Sequence, residues 1–96
     1  MKIQLRSVLD IAHLLGGKEH SIDVGDAAVV LDLIGLLIAK HGEPLRALML
    51  QSDVATELLP HVKIYVNGRG IDFLAGLETV LHDGDDVVIM PQISGG

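Results

Sequence analysis

Between stretches that alternate polar and apolar residues, the chain carries one run of a different period. Val30, Leu33, Ile34, Leu37 and Ile38 recur at three and four residues, which places them on one stripe of an α-helix. A stripe of that kind must be buried, and the alternating stretches on either side are the surface available to cover it. Asp26 is expected as the N-cap, its carboxylate accepting from the free amides of the first turn. Lys40 and His41 suit the negative end of the helix, and Gly42 suits the C′ position. Gly35 weakens the helix by about 1 kcal/mol relative to Ala. Close approach of the helix to the sheet would account for a glycine there.

The flanking segments read as strands. Met1, Ile3 and Leu5 alternate with Lys2, Gln4 and Arg6, and alternation returns over His20 to Val24 with Ile22 and Val24 inward. The segment Leu9 to Lys18 has no clean period and ends in Gly16-Gly17, so it is expected as a loop joining the two strands. After the main helix, Pro44 suits a first helical position and Leu45 to Leu50 predicts a short second helix. Val62, Ile64 and Val66 point inward from a third strand that runs into Asn67-Gly68, a pair that favours the positive φ angles of a type I′ hairpin. Leu74, Leu77 and Leu81 plug a turn-like connection, His82 to Asp85 forms a tight turn, and Asp86 to Met90 is the last strand. The order predicts an α+β sheet covered on one face by the helix, with the last strand parallel to the first. Val87 and Ile89 then face the helix, while Val88 and Met90 lie on the open face.

Composition removes several function classes. A chain of 96 residues is one domain, expected here as residues 1–90 followed by a thin flexible tail, 91–96. It has no cysteine, which excludes disulfides, thiolate metal sites and cysteine nucleophiles. With a net charge of −6 and seven scattered Lys and Arg, it lacks the clustered cations that nucleic acid requires, and Tyr65 and Phe73 are its only aromatics. An acidic domain suits a basic protein partner. The apolar run Val29 to Ala39 is broken by Asp32 and falls well short of the roughly 20 residues of a membrane span. The N-terminal residues contain no signal-peptide core, and a cytoplasmic location is expected.

The chain offers little chemistry of its own. The histidines at 13, 20, 41, 61 and 82 form no helical pair for a metal, and Asp83-Gly84-Asp85-Asp86 lacks the layout of a calcium loop. No serine lies in a Gly-x-Ser-x-Gly elbow, and Gly68-Arg69-Gly70 is too short for a phosphate loop. No metal, no bound cofactor and no self-sufficient active site are expected. The end of the sequence is different. Pro91 donates no N–H and cannot continue a ladder, and Gly95-Gly96 forms an arm without side chains. Such an arm can thread a narrow channel and present the Gly96 carboxylate to the α-phosphate of ATP, giving an acyl-adenylate open to sulfur or amine.

Asn67-Gly68-Arg69, Gly76-Leu77-Glu78-Thr79-x-Leu81, Asp83-Gly84-Asp85-Asp86-Val87 and Pro91-x-x-Ser94-Gly95-Gly96 occur in this order. They resemble the ubiquitin-like sulfur carriers of the MoaD/ThiS type. The resemblance implies a β-grasp fold, a mixed sheet with one main crossover helix and a short second one. It also implies that an E1-like enzyme, using its own ATP, adenylates Gly96 and that a sulfur donor protein converts it to a thiocarboxylate. The large subunit of molybdopterin synthase then takes the sulfur. On that reading Gly95 lets the tail pass, Ser94, Ile93 and Pro91 guide it, and Met90, Val88 and Tyr65 form the partner interface on the open sheet face. Gln92 departs from the family pattern, in which two prolines and an aromatic often precede the tail.

The same activated glycine serves a ubiquitin-like modifier joined to lysines, or a carrier of the thiamine pathway. A plain binding module with an idle tail is the remaining alternative. The sequence does not separate these.

Overall fold

The computed structural model describes residues 1–51 and 57–91. Five strands form one sheet: β1 (Lys2–Ser7), β2 (Glu19–Asp23), β3 (Lys63–Val66), β4 (Arg69–Gly70) and β5 (Asp86–Met90), in the spatial order β2-β1-β5-β3-β4. β5 lies parallel to β1, with Leu5 beside Val87, and antiparallel to β3, with Ile64 beside Ile89. The expected faces are observed. Ile3, Leu5, Ile64, Val66, Val87 and Ile89 are buried, and α2 (Val30–His41) covers them with Val30, Leu33, Ile34 and Leu37. Leu45 and Met49 of α3 (Glu43–Met49) complete that layer, both fully buried.

The segment expected as a loop contains a further helix, α1 (Leu9–Leu15). Seven residues make two turns, too few for a helical period to show, but they suffice to turn Ile11, Ala12 and Leu15 onto the core. Gly16 and Gly17 end it. Gly16 takes φ 83, and the two amides donate to the carbonyls of His13 and Ala12.

The start of α2 also departs from expectation. Asp26 lies in the turn before the helix, and Val29 occupies the cap position. The carboxylate of Asp32 accepts the Val29 N–H at 2.9 Å, and the Val30 N–H reaches out to the Thr79 carbonyl at 3.0 Å. A bond to a distant segment thus decides where the helix begins. Gly42 does end it, at φ 81. Gly35 faces solvent, and a Cβ there would meet no atom within 4 Å, so approach to the sheet does not explain it.

The Asn67-Gly68 hairpin forms as expected, with φ 51 and 83 at the two turn residues and Val66 paired to Arg69. Its side chain does more than turn the chain. Asn67 Nδ2 donates to Asp85 Oδ1 at 2.9 Å, and Asn67 Oδ1 accepts the Asp86 N–H at 2.9 Å. Asp85 Oδ2 accepts the His82 N–H at 2.8 Å, while Asp83 Oδ1 accepts the Lys2 N–H at 2.8 Å. The 82–86 turn therefore clasps the hairpin and the first strand together at the point where β5 begins. Thr79 similarly holds its own turn, donating to the Gly76 carbonyl at 2.7 Å.

Candidate partner interface beside the last strand

β5 is the central strand of the sheet, and its outward residues define the middle of the uncovered face. Val88 lies between Arg6 of β1 and Tyr65 of β3, and Met90 lies opposite Lys63. All three expected interface residues, Tyr65, Val88 and Met90, are half-buried and occupy adjacent positions on two paired strands. Hydrogen-bonded pairing brings together residues 65 and 88–90, which are far apart in sequence, because side chains directly across a ladder share a face.

Charged residues ring this patch. The Arg6 guanidinium forks onto Asp86, its Nε donating to Oδ1 at 3.1 Å and its second nitrogen bonding Oδ2. The hydrogen bonds it donates to Asp86 raise the Arg6 pKa above its already high value, so the cation persists at any working pH. Lys2 approaches Asp23 at 3.9 Å, and Lys63 approaches Asp72 at 3.8 Å. In the strand pairing Lys2 lies opposite Asp23 and Arg6 opposite Glu19, so each cation of this face, Lys63 with Asp72 included, has a carboxylate near it.

Phe73 extends the patch and escaped the sequence reading, which treated the 73–81 segment as a buried connection. It is 90% exposed, in a short 3-10 turn after β4. Its ring and that of Tyr65 both come within 3.6 Å of where a Gly70 Cβ would sit, so Gly70 is the floor between the chain's two aromatics. They line a cleft of about 310 Å³ with Val62, Ile64 and Ile71. The only signal in the sequence was an aromatic beside Gly70-Ile71-Asp72 in a chain that has two.

A second cleft of about 350 Å³ opens at the far end of β5, between Val88, Arg6, Val8 and Lys18. Ser7, beside Ile89 in the ladder, is buried, and its hydroxyl has no hydrogen-bond partner among the described residues. Pro91, read with the tail, is buried and ends the described chain, whereas Ile93, Ser94, Gly95 and Gly96 lie outside the described residues. Among the described residues, no group of three or more His, Asp or Glu is placed to hold a metal ion. None of their helices is long and apolar enough to cross a membrane.

A mixed sheet in this order, with one crossover helix in its grasp, is the architecture of the ubiquitin-like β-grasp proteins, and this chain is one of them. Within that class it belongs to the ThiS family, whose model matches residues 10–96. A putative sulfur carrier protein of Archaeoglobus fulgidus is 37% identical over 82 residues, 79% of this chain and 90% of that one. Small archaeal modifier protein 3 of Haloferax volcanii is 32% identical over 96 residues, the full length of both. Among solved structures, SAMP1 of Haloferax volcanii superposes with a TM-score of 0.83 at 26% identity, covering all of both chains. A putative molybdopterin converting factor subunit 1 of Pyrococcus furiosus gives 0.75 at 26% identity, over 97% of this chain and 99% of that one. CysO in the BexX/CysO complex of Amycolatopsis orientalis gives 0.72 at 28%, over 98% and 99%. The family is thus one of small ubiquitin-like sulfur carriers and modifiers, and at least one member is seen bound to another protein.

Proposed function

We propose that this chain is a cytoplasmic sulfur carrier that works through the carboxylate of Gly96 and has no active site of its own. The observation that carries the reading is the reach of the family match, which runs through residue 96 and so includes Gly95-Gly96. A carboxylate oxygen of Gly96 attacks the α-phosphorus of ATP held by an E1-like enzyme, and pyrophosphate leaves. Sulfide delivered by a sulfur donor protein then attacks the acyl carbon, AMP leaves, and a thiocarboxylate remains. The carboxylate is ionised at neutral pH, so no base is needed to prepare it. Gly95 admits the tail to the partner's channel, with Ser94, Ile93 and Pro91 guiding it.

Tyr65, Val88 and Met90, extended by Phe73, are the surface on which the partner sits. An apolar centre with a charge-balanced rim fits a protein partner that docks, reacts and leaves. The sulfur's destination is the large subunit of a molybdopterin synthase, a reading supported by the full-length likeness to the Pyrococcus furiosus subunit. Incubation with the activating enzyme, ATP and a sulfur source is expected to raise the intact mass by about 16 Da, oxygen exchanged for sulfur at an activated acyl group. Consumption of ATP with no mass change would overturn the carrier reading.

The full-length relation to small archaeal modifier protein 3 favours a second reading, in which a lysine amine attacks the same acyl-adenylate. Its mark is a Gly-Gly remnant on lysines in digests of cells that express the protein. Absence of such remnants, with the mass shift present, leaves the carrier role alone.

A further inference from the structure

The outer side of α2, away from the open sheet face, carries an unexplained feature. Gly35 lies in the middle of a 12-residue helix, exposed, with nothing within 4 Å of a Cβ placed there. A glycine at such a position destabilises a helix by about 1 kcal/mol relative to Ala, and no contact within the domain calls for it. Leu31, half-buried, and Leu36, 46% exposed, flank the dent it leaves. They line a groove of about 520 Å³ that also includes Asp26 and Asp32 and no Lys or Arg. Lys2, Arg6 and Lys63 on the open sheet face each have a carboxylate within ion-pair reach, whereas the only charged residues lining this groove are acidic.

We propose that the groove docks a basic amphipathic helix of a second protein, its apolar side chains over Gly35 and its Lys or Arg against Asp26 and Asp32. The dent allows two helix backbones to approach closely, which a side chain at 35 would prevent. An added strand is not the occupant, because α2 offers no unpaired ladder of backbone groups to extend. The acidic lining selects for positive charge. Because α2 covers the opposite face of the sheet, this partner can bind while Tyr65, Val88 and Met90 are engaged. The inference stands apart from the chemistry at Gly96.

The test uses the ¹⁵N-labelled full chain titrated with a helical peptide of Leu and Lys, apolar along one side, and with its Leu and Glu counterpart. The Lys peptide is expected to shift the amides of Leu31, Gly35 and Leu36, to leave those of Tyr65, Val88 and Met90 in place, and to bind more weakly as salt rises. Gly35→Lys fills the dent and opposes the charge while improving the helix, so it stays folded by circular dichroism and weakens binding by about tenfold or more. Unchanged affinity in Gly35→Lys, an equal response to the Glu peptide, shifts confined to the sheet face, or no shifts at all would overturn the proposal.

Discussion

Replacing Asp85 with Ala removes the centre of the clasp that starts the last strand. Asp85 is 9% exposed, and its carboxylate accepts from Asn67 Nδ2 at 2.9 Å and from the His82 N–H at 2.8 Å. Hydrogen bonds to an ionised acceptor contribute about 1.5–3 kcal/mol each. Asn67 is exposed and its amide can turn to water, so its bond belongs at or below the bottom of that range. The His82 amide is part-buried and recovers less. We expect a loss of about 2–3 kcal/mol in total. In a domain of this size each kcal/mol moves the thermal midpoint by about 4–8 °C, so Asp85→Ala should melt roughly 10–20 °C below the parent. Circular dichroism melts measure this, with urea unfolding as the check that the slope, and hence the exposed area, is unchanged. Asn67→Gly deletes the partner side chain while keeping a residue suited to φ 51. The double-mutant cycle should return a coupling of about 1 kcal/mol. A midpoint within about 2 °C of the parent, or a coupling of zero, would show that the clasp is decorative and that the ladder alone aligns β5.

Gly35→Ala should stabilise the domain by about 0.5–1 kcal/mol, since its Cβ enters open space on a helix; destabilisation in urea melts would contradict the open environment. Ser7→Ala should leave stability unchanged or raise it by about 1 kcal/mol, because the buried hydroxyl it removes has no partner among the described residues; a clear loss would reveal a bond to it. Met90→Asp faces Lys63 across the ladder, so the fold should tolerate it while affinity for the activating enzyme falls about tenfold or more by calorimetry. Phe73→Ala, at a side chain 90% exposed, should cost little stability yet weaken the same complex; undiminished affinity in both variants would move the interface elsewhere.

What could be read from the sequence was what neighbouring residues decide among themselves. The α2 stripe, the strand alternations and the Asn67-Gly68 turn each depend on the backbone geometry of a few consecutive residues, and each is observed where the pattern put it. The parallel placement of β5 beside β1 followed because a hairpin of the first two strands leaves the other edge of β1 for the last strand. The motif residues that carry the family resemblance were legible as a pattern, but their purpose was not. Asp85, 18 positions from Asn67, looked like a turn-former and is also the other half of a clasp.

Other features became visible only when distant segments met. α1 is held by the core that Ile11, Ala12 and Leu15 enter, since seven residues have no stability as an isolated helix. The start of α2 moved from Asp26 to Val29 because Asp32 and the Thr79 carbonyl take its first amides. Phe73 became part of a surface only when the hairpin brought it to Tyr65 over Gly70. Gly35 had been given a reason inside the fold, and the packing shows it has none there. Local geometry is written in adjacent residues, whereas burial and partnership depend on contacts that exist only once the chain has closed on itself.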